Sequence, residues 1–254
     1  MPRLACKYHL YNMEIRKHAL FALMAVFATS LTAQNTSPTI SPTGTYTDAE
    51  GNEQTTTTIA ASAPLNVTFM ANAEHTEGWT AHYEWHFYKE GDRDHCYLIR
   101  YEPNTTLNFV EAGTHLVELW ATFTQGTDSV AYTNQYWTSE GTPISVSIYE
   151  SKLEMPNAFS PNGDGINDVY KAKAGYQSLI EFKATIFNRW GQKIYSWDDP
   201  AGGWDGKYKG KNVSQGVYYV LVRAKGADGR TYNIKRDVNL LRGYTEGTGG
   251  SELP

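Results

Sequence analysis

The chain has 254 residues, 41% hydrophobic and 19% charged, with a formal net charge of −5. That length allows one or two domains, and the apolar content is enough for packed cores and too high for a disordered chain. The cations are scattered along alternating segments and form no nucleic-acid motif, so no nucleic-acid partner is expected.

At the start, Arg16-Lys17-His18 precede an apolar run from Ala19 to Leu31, followed by Thr32-Ala33. The run is too short to span a bilayer comfortably, and its basic lead and small-residue end predict a signal peptide over residues 1–33, cut after Ala33. Cys6 then leaves with the leader. Cys96 remains as a single thiol that can form no internal disulfide and is expected to be packed and inert.

Residues 34–63 are rich in Thr, Ser, Pro and Gly and read as a linker or a loose first strand. Period-two alternation begins at Leu65, Val67 and Phe69. It returns at Tyr83, Trp85 and Phe87, at Leu116 to Phe123, and at Ile144, Val146 and Ile148. One buried and one solvated face per strand follows from that period. Residues 64–152 are therefore expected to form an antiparallel β-sandwich. No helix longer than about two turns is expected after the leader, because no helical period is sustained.

Tyr83-Glu84-Trp85-His86-Phe87, Thr106-Leu107-Asn108-Phe109 and Ala112-Gly113-Thr114-His115-Leu116-Val117 resemble a polycystic-kidney-disease (PKD) type immunoglobulin-like module. The acidic-Gly loop usual after the Trp strand is replaced here by Tyr88 to Asp94. In physical terms Trp85 is a core anchor and Gly113 turns the chain into a buried strand.

The second module, residues 153–242, carries a distinctive ordered set. It opens with Phe159-Ser160-Pro161-Asn162-Gly163-Asp164-Gly165-Ile166-Asn167-Asp168. Asn188-Arg189-Trp190-Gly191, Trp204-Asp205-Gly206 and Gly216-Val217-Tyr218-Tyr219 follow. Together with Val238-Asn239-Leu240-Leu241-Arg242 these closely resemble the gliding motility-associated C-terminal domain, the type B sorting domain of the Bacteroidetes type IX secretion system. The resemblance implies a second immunoglobulin-like sandwich, recognition by the type IX translocon, and an outer-membrane barrel partner of the kind serving type B substrates. From the residues themselves, Asn188–Gly191 and Ala227–Arg230 read as hairpin turns, and Trp204 and Tyr219 are expected in the core. Residues 243–254 are Gly-rich and acidic and read as a flexible tail.

Charge divides the chain unevenly. Residues 34–152 hold 4 Lys+Arg against 15 Asp+Glu, whereas residues 153–242 hold 14 against 9. An acidic front and a basic back point to different surroundings or partners.

Asn162, Asp164 and Asp168 place oxygen atoms around two glycines, a pattern that suits calcium, although Ser160 stands where such a loop would open on Asp. The same residue types also build ordinary turns. His82, Glu84 and His86 share one strand face and could hold a transition metal, but a solvated face opposite Tyr83, Trp85 and Phe87 explains them as well. No nucleophile elbow, zinc-protease helix or phosphate-binding loop is present, so no catalytic residue is assigned. The sequence thus reads as an all-β, non-enzymatic exported protein with two tandem sandwiches and no obligate cofactor, displayed at the cell surface or outer membrane or released. The competing reading is a carbohydrate-binding adhesin whose PKD-like module takes a surface glycan.

Overall fold

The computed structural model describes residues 37–243; the leader at residues 1–33 and the tail beyond Gly243 lie outside the described residues. In chain order the N-terminal half runs β1 (Thr43–Thr47), β2 (Glu53–Thr56), β3 (Thr58–Ala61), β4 (Leu65–Met70), β5 (Thr80–Lys89), β6 (Leu98–Arg100), β7 (Asn104–Phe109), β8 (Gly113–Gln125), β9 (Asp128–Tyr132), α1 (Asn134–Ser139) and β10 (Ile144–Ile148). The C-terminal half runs β11 (Ala158–Phe159), β12 (Leu179–Phe187), β13 (Lys193–Trp197), β14 (Lys207–Tyr208), β15 (Lys211–Asn212), β16 (Gly216–Gly226) and β17 (Thr231–Leu240). The described residues are built on strands, with α1 under two turns long. No helix among the described residues is long and apolar enough to cross a membrane.

The N-terminal sandwich packs a sheet ordered β2-β1-β4-β7 against one ordered β3-β10-β8-β5-β6, with β9 sharing β8. Alternating inward residues close the gap: Val67 and Phe69 from one sheet meet Trp85, Phe87, Val117, Leu119 and Val146 from the other, all fully buried. Each such side chain stabilises the fold by roughly 1.5–3 kcal/mol. Trp85 also donates its indole N–H to the Glu102 carbonyl at 3.0 Å, so its one polar atom is satisfied.

The stretch read as a linker or loose first strand is more ordered than that expectation. Three strands lie in it, and the chain crosses from one sheet to the other at Thr57. Ile59 is fully buried. Strands β2 and β3 are sheet edges, held by backbone pairing with little apolar burial, which is why their composition resembles a linker.

The face of β5 expected to be solvated is only partly so. Glu84 accepts from His82 at 2.9 Å and pairs with His86 at 2.8 Å, and His86 is buried and stacked on Trp120 at 4.1 Å. Across the ladder Glu118 is fully buried and receives both Nε and Nη2 of Arg93, at 2.7 and 3.2 Å. Arg93 belongs to the loop between β5 and β6, which folds back over this face and reaches Thr138 of α1 at 3.0 Å. Cys96 in the same loop is half-buried, with its thiol donating to the Leu98 carbonyl at 3.0 Å.

The C-terminal sandwich has a five-stranded sheet, ordered β11-β17-β16-β12-β13, and a two-stranded one, β14-β15. Loops and the β14-β15 hairpin cover the inner face of the larger sheet, bringing Met155, Tyr170 and Trp204 onto Val220, Val222, Ile186 and Leu240. The described residues from Pro38 onward form one unit. The two sandwiches touch where Ala112 N–H donates to the Ala227 carbonyl at 3.0 Å and Ala63 N–H donates to Ser178 Oγ at 3.2 Å. In the connector, Ser151 is buried and gives its hydroxyl to Asp228 at 2.7 Å. Burial raises the Asp228 pKa, but hydrogen bonds from Ser151 and the Arg230 amide outweigh this and hold it below the usual value.

Candidate functional site

The motif residues of the second module separate in space into a stapled end of the sandwich and an exposed hairpin. The stapled end is built on Phe159, Trp204 and Tyr218, which are buried and pack ring against ring at 5.3 and 5.0 Å. Trp204 donates its indole N–H to the Lys207 carbonyl at 2.8 Å, and Tyr218 its hydroxyl to Ser214 at 2.7 Å. Burial pushes the Tyr218 phenol up. Asp205 closes the following turn by accepting from the Lys207 amide at 3.1 Å. Its carboxyl is raised by desolvation, yet the Lys207 contacts leave it below the ordinary value. Gly216 opens β16 at a φ of 139°, a backbone region that disfavours other residues.

Arg242, one residue beyond Leu241, ties this end together, donating to the carbonyls of Pro161 at 3.0 Å, Gly206 at 2.7 Å and Val213 at 3.1 Å. Arg242 closes the last motif quoted from the sequence, but sequence reasoning gave it no role of its own.

The loop from Asn162 to Asp168 folds on itself. Asp168 accepts from the amides of Gly163 at 2.7 Å and Gly165 at 2.8 Å, which holds its carboxyl below the ordinary range. Asp164 accepts from the Ile166 amide at 2.8 Å and from the Asn162 side chain at 2.8 Å. Gly163, Gly165 and Asn167 all have positive φ, at 87°, 86° and 52°. The oxygens read as calcium ligands thus face amide hydrogens within the loop. Among the described residues no group of three or more His, Cys, Asp or Glu is placed to hold a metal.

The exposed hairpin joins β12 to β13. Asn188 Oδ1 accepts from the amides of Trp190 and Gln192, both at 3.0 Å, and Gly191 turns the chain at a φ of 77°. This geometry pushes Trp190 into solvent at 77% exposure, with the Arg189 guanidinium 4.6 Å from its ring. Tyr219, expected in the core, is instead 49% exposed. Its neighbour Tyr218 takes the inward position, because Val220, Val222 and Ala224 fix the inward frame of β16.

Residues 153–235 match the CHU_C type IX secretion signal domain. The CHU_C module therefore coincides with the second sandwich up to the middle of β17, and the chain carries a signal for export by the type IX machinery. No curated protein matches the chain. Among solved structures, the FN1–FN3 domains of chicken CNTN1 align at 9% identity over 73% of this chain and 62% of theirs, with a TM-score of 0.29. Dimeric latent PorU from Porphyromonas gingivalis aligns at 13% identity over 85% of this chain and 21% of its own, with a TM-score of 0.24. A tetra-tandem repeat from the extending region of a large adhesion protein aligns at 12% identity over 81% and 68%, with a TM-score of 0.25.

Proposed function

We propose that this is a non-enzymatic exported protein that the type IX system delivers to the outer surface, where it is displayed or assembled at the outer membrane. The observation that carries the reading is the match of CHU_C to residues 153–235, most of a compact sandwich with its own core. The N-terminal sandwich acts as cargo or spacer. Supporting that role, its large aromatics Trp85, Phe69, Phe87 and Phe123 are fully buried in the core and are not offered to a ligand. A barrel protein of the outer membrane is the partner proposed for retention after export.

The test compares full-length protein with a chain ending at Glu154 in a bacterium that has a type IX system. Full-length protein should reach the protease-accessible cell surface, and the shortened chain should stay in the periplasm. Equal surface exposure of both forms would overturn the reading.

A further inference from the structure

The outer face of the CHU_C sheet breaks the polar pattern expected of a solvated face. On β16 the inward frame is Tyr218, Val220, Val222 and Ala224, and the outward frame begins at Val217. Towards the hairpin end, Arg223 and Lys225 give way to Leu221, Tyr219 and Val217, and Phe187 lies directly opposite Tyr219 on β12. Val217 and Tyr219 are 47% and 49% exposed. The Trp190 hairpin continues directly from Phe187. Two shallow depressions, of about 610 and 350 Å³, share Val217 and Tyr219 in their walls; Phe187 and Leu221 border the first and Trp190 the second. The core and the turn account for the rest of the motif, but folding has no use for an exposed Trp190 beside an exposed Tyr219. A contiguous apolar strip with aromatic members is the composition of an interaction surface.

Charge says what covers it. Arg189 and Lys235 border the two depressions, and Arg223 and Lys225 continue the outward frame of β16, against Asp237 at the strip itself. Arg236 falls in the inward frame, where it donates to the Met155 carbonyl at 2.8 Å. A second copy docked face to face would bring these cations together, which disfavours self-association. An acidic surface carrying apolar side chains would be complementary.

We propose that this strip is where a protein of the type IX export machinery holds the folded CHU_C module, through an acidic, apolar-centred surface. The proposal rests on the export reading above and adds to it the surface used. Trp190 and Tyr219 are the central contacts, and Arg189 and Lys235 steer the approach.

The experiment uses the full-length chain in a bacterium with a type IX system and measures the fraction of protein outside the outer membrane. Trp190→Ser combined with Tyr219→Ser should lower export about tenfold or more, as removal of central aromatic contacts does. Arg189→Glu with Lys235→Glu should lower it as well. Because the altered side chains are exposed, the purified variants should melt close to the parent; should the double Ser variant melt early, Trp190→Ser alone decides. Trp204→Ala, which breaks the core, serves as the control for the export reading. Normal export of the folded strip variants with Trp204→Ala retained would overturn the strip and leave the export reading standing. Export of Trp204→Ala too would overturn that reading. Sedimentation equilibrium should show the parent to be monomeric; a dimer that Tyr219→Ser dissociates would assign the strip to a second copy and overturn the proposal.

Discussion

Arg242 Nη2 donates to the carbonyl of Gly206 at 2.7 Å, which fastens the end of the last strand to the turn after Trp204. Two further bonds from the same guanidinium reach Pro161 and Val213, so one side chain ties the start of the Asn162 loop to both ends of the β14-β15 hairpin. Gly206 has to be glycine there. Its φ is 75°, and a Cβ would lie 3.0 Å from both Arg242 Nη2 and Pro161 Cγ. Arg242→Ala should cost about 2 kcal/mol, the scale of charged hydrogen bonds at a partly exposed site. That corresponds to a fall in Tm of about 4–8 °C for a chain this size. Gly206→Ala should cost about 1–2 kcal/mol from the left-handed backbone alone. Thermal melts of both variants check this, and an unchanged Tm for Arg242→Ala would show that the staple contributes nothing.

Period-two alternation was enough to place the N-terminal core, where Trp85 is as buried as that pattern requires. Tyr218 and Tyr219 open frames that are equally apolar over their first members, Tyr218-Val220-Val222 and Val217-Tyr219-Leu221, and the inward one is marked only further along, where Ala224 continues the first frame and Arg223 and Lys225 the second. The same ambiguity hid the exposed strip. Burial of His86 was invisible for a different reason. The loop that covers it is anchored by Arg93 on Glu118, a contact spanning 25 positions, although a carboxylate inside the run Leu116 to Leu119 was a sign of it. The Ala63–Ser178 bond between the modules spans 115 positions and left no local trace.

His115 should make the N-terminal sandwich sensitive to acid. It is buried, its Nε2–H donates to the Glu111 carbonyl at 3.2 Å, and its Nδ1 shares a hydrogen bond with the Tyr97 hydroxyl at 2.7 Å. Burial holds its pKa below the ordinary 6.5, with Lys89 adding to the shift while the Glu111 carbonyl and carboxylate oppose it. The unfolded chain therefore binds a proton before the folded one does. Its contribution to stability is complete above the unfolded value and is lost as pH falls through the folded one. Tm should drop between about pH 7 and pH 5, and His115→Gln should flatten part of that drop. An identical pH profile for the two proteins would exclude His115 as the cause.

The loop from Asn162 to Asp168 is expected to be stable without an added ion. Each Asp168 carboxylate oxygen already accepts an amide hydrogen, from Gly163 and from Gly165, so bonds within the loop hold its shape. The Tm should be the same in calcium and in chelator, and Asp168→Ala should lower it equally in both. A calcium-dependent rise that Asp168→Ala abolishes would assign the ion to the loop.

The end of β17 sets the shortest chain that should still be exported. Asn239 and Leu240 pair in parallel with Ala158 and Phe159 on one side, and Leu240 pairs with Gly216 on the other. The Leu241 amide then donates to the Phe159 carbonyl at 3.0 Å, and Arg242 makes its three bonds immediately after. Every one of these interactions is complete by Arg242. A chain ending at Gly243 should keep the sandwich and reach the surface as the full-length protein does. A chain ending at Val238 loses Leu240 from the core, the β11 pairing and the arginine staple, and should be retained and protease-sensitive. Surface protease accessibility, read beside Tm, distinguishes the two. Retention of the chain ending at Gly243 with an unchanged Tm would mean that the machinery holds the free end, and surface display of the chain ending at Val238 would mean that an intact sandwich is not what it recognises.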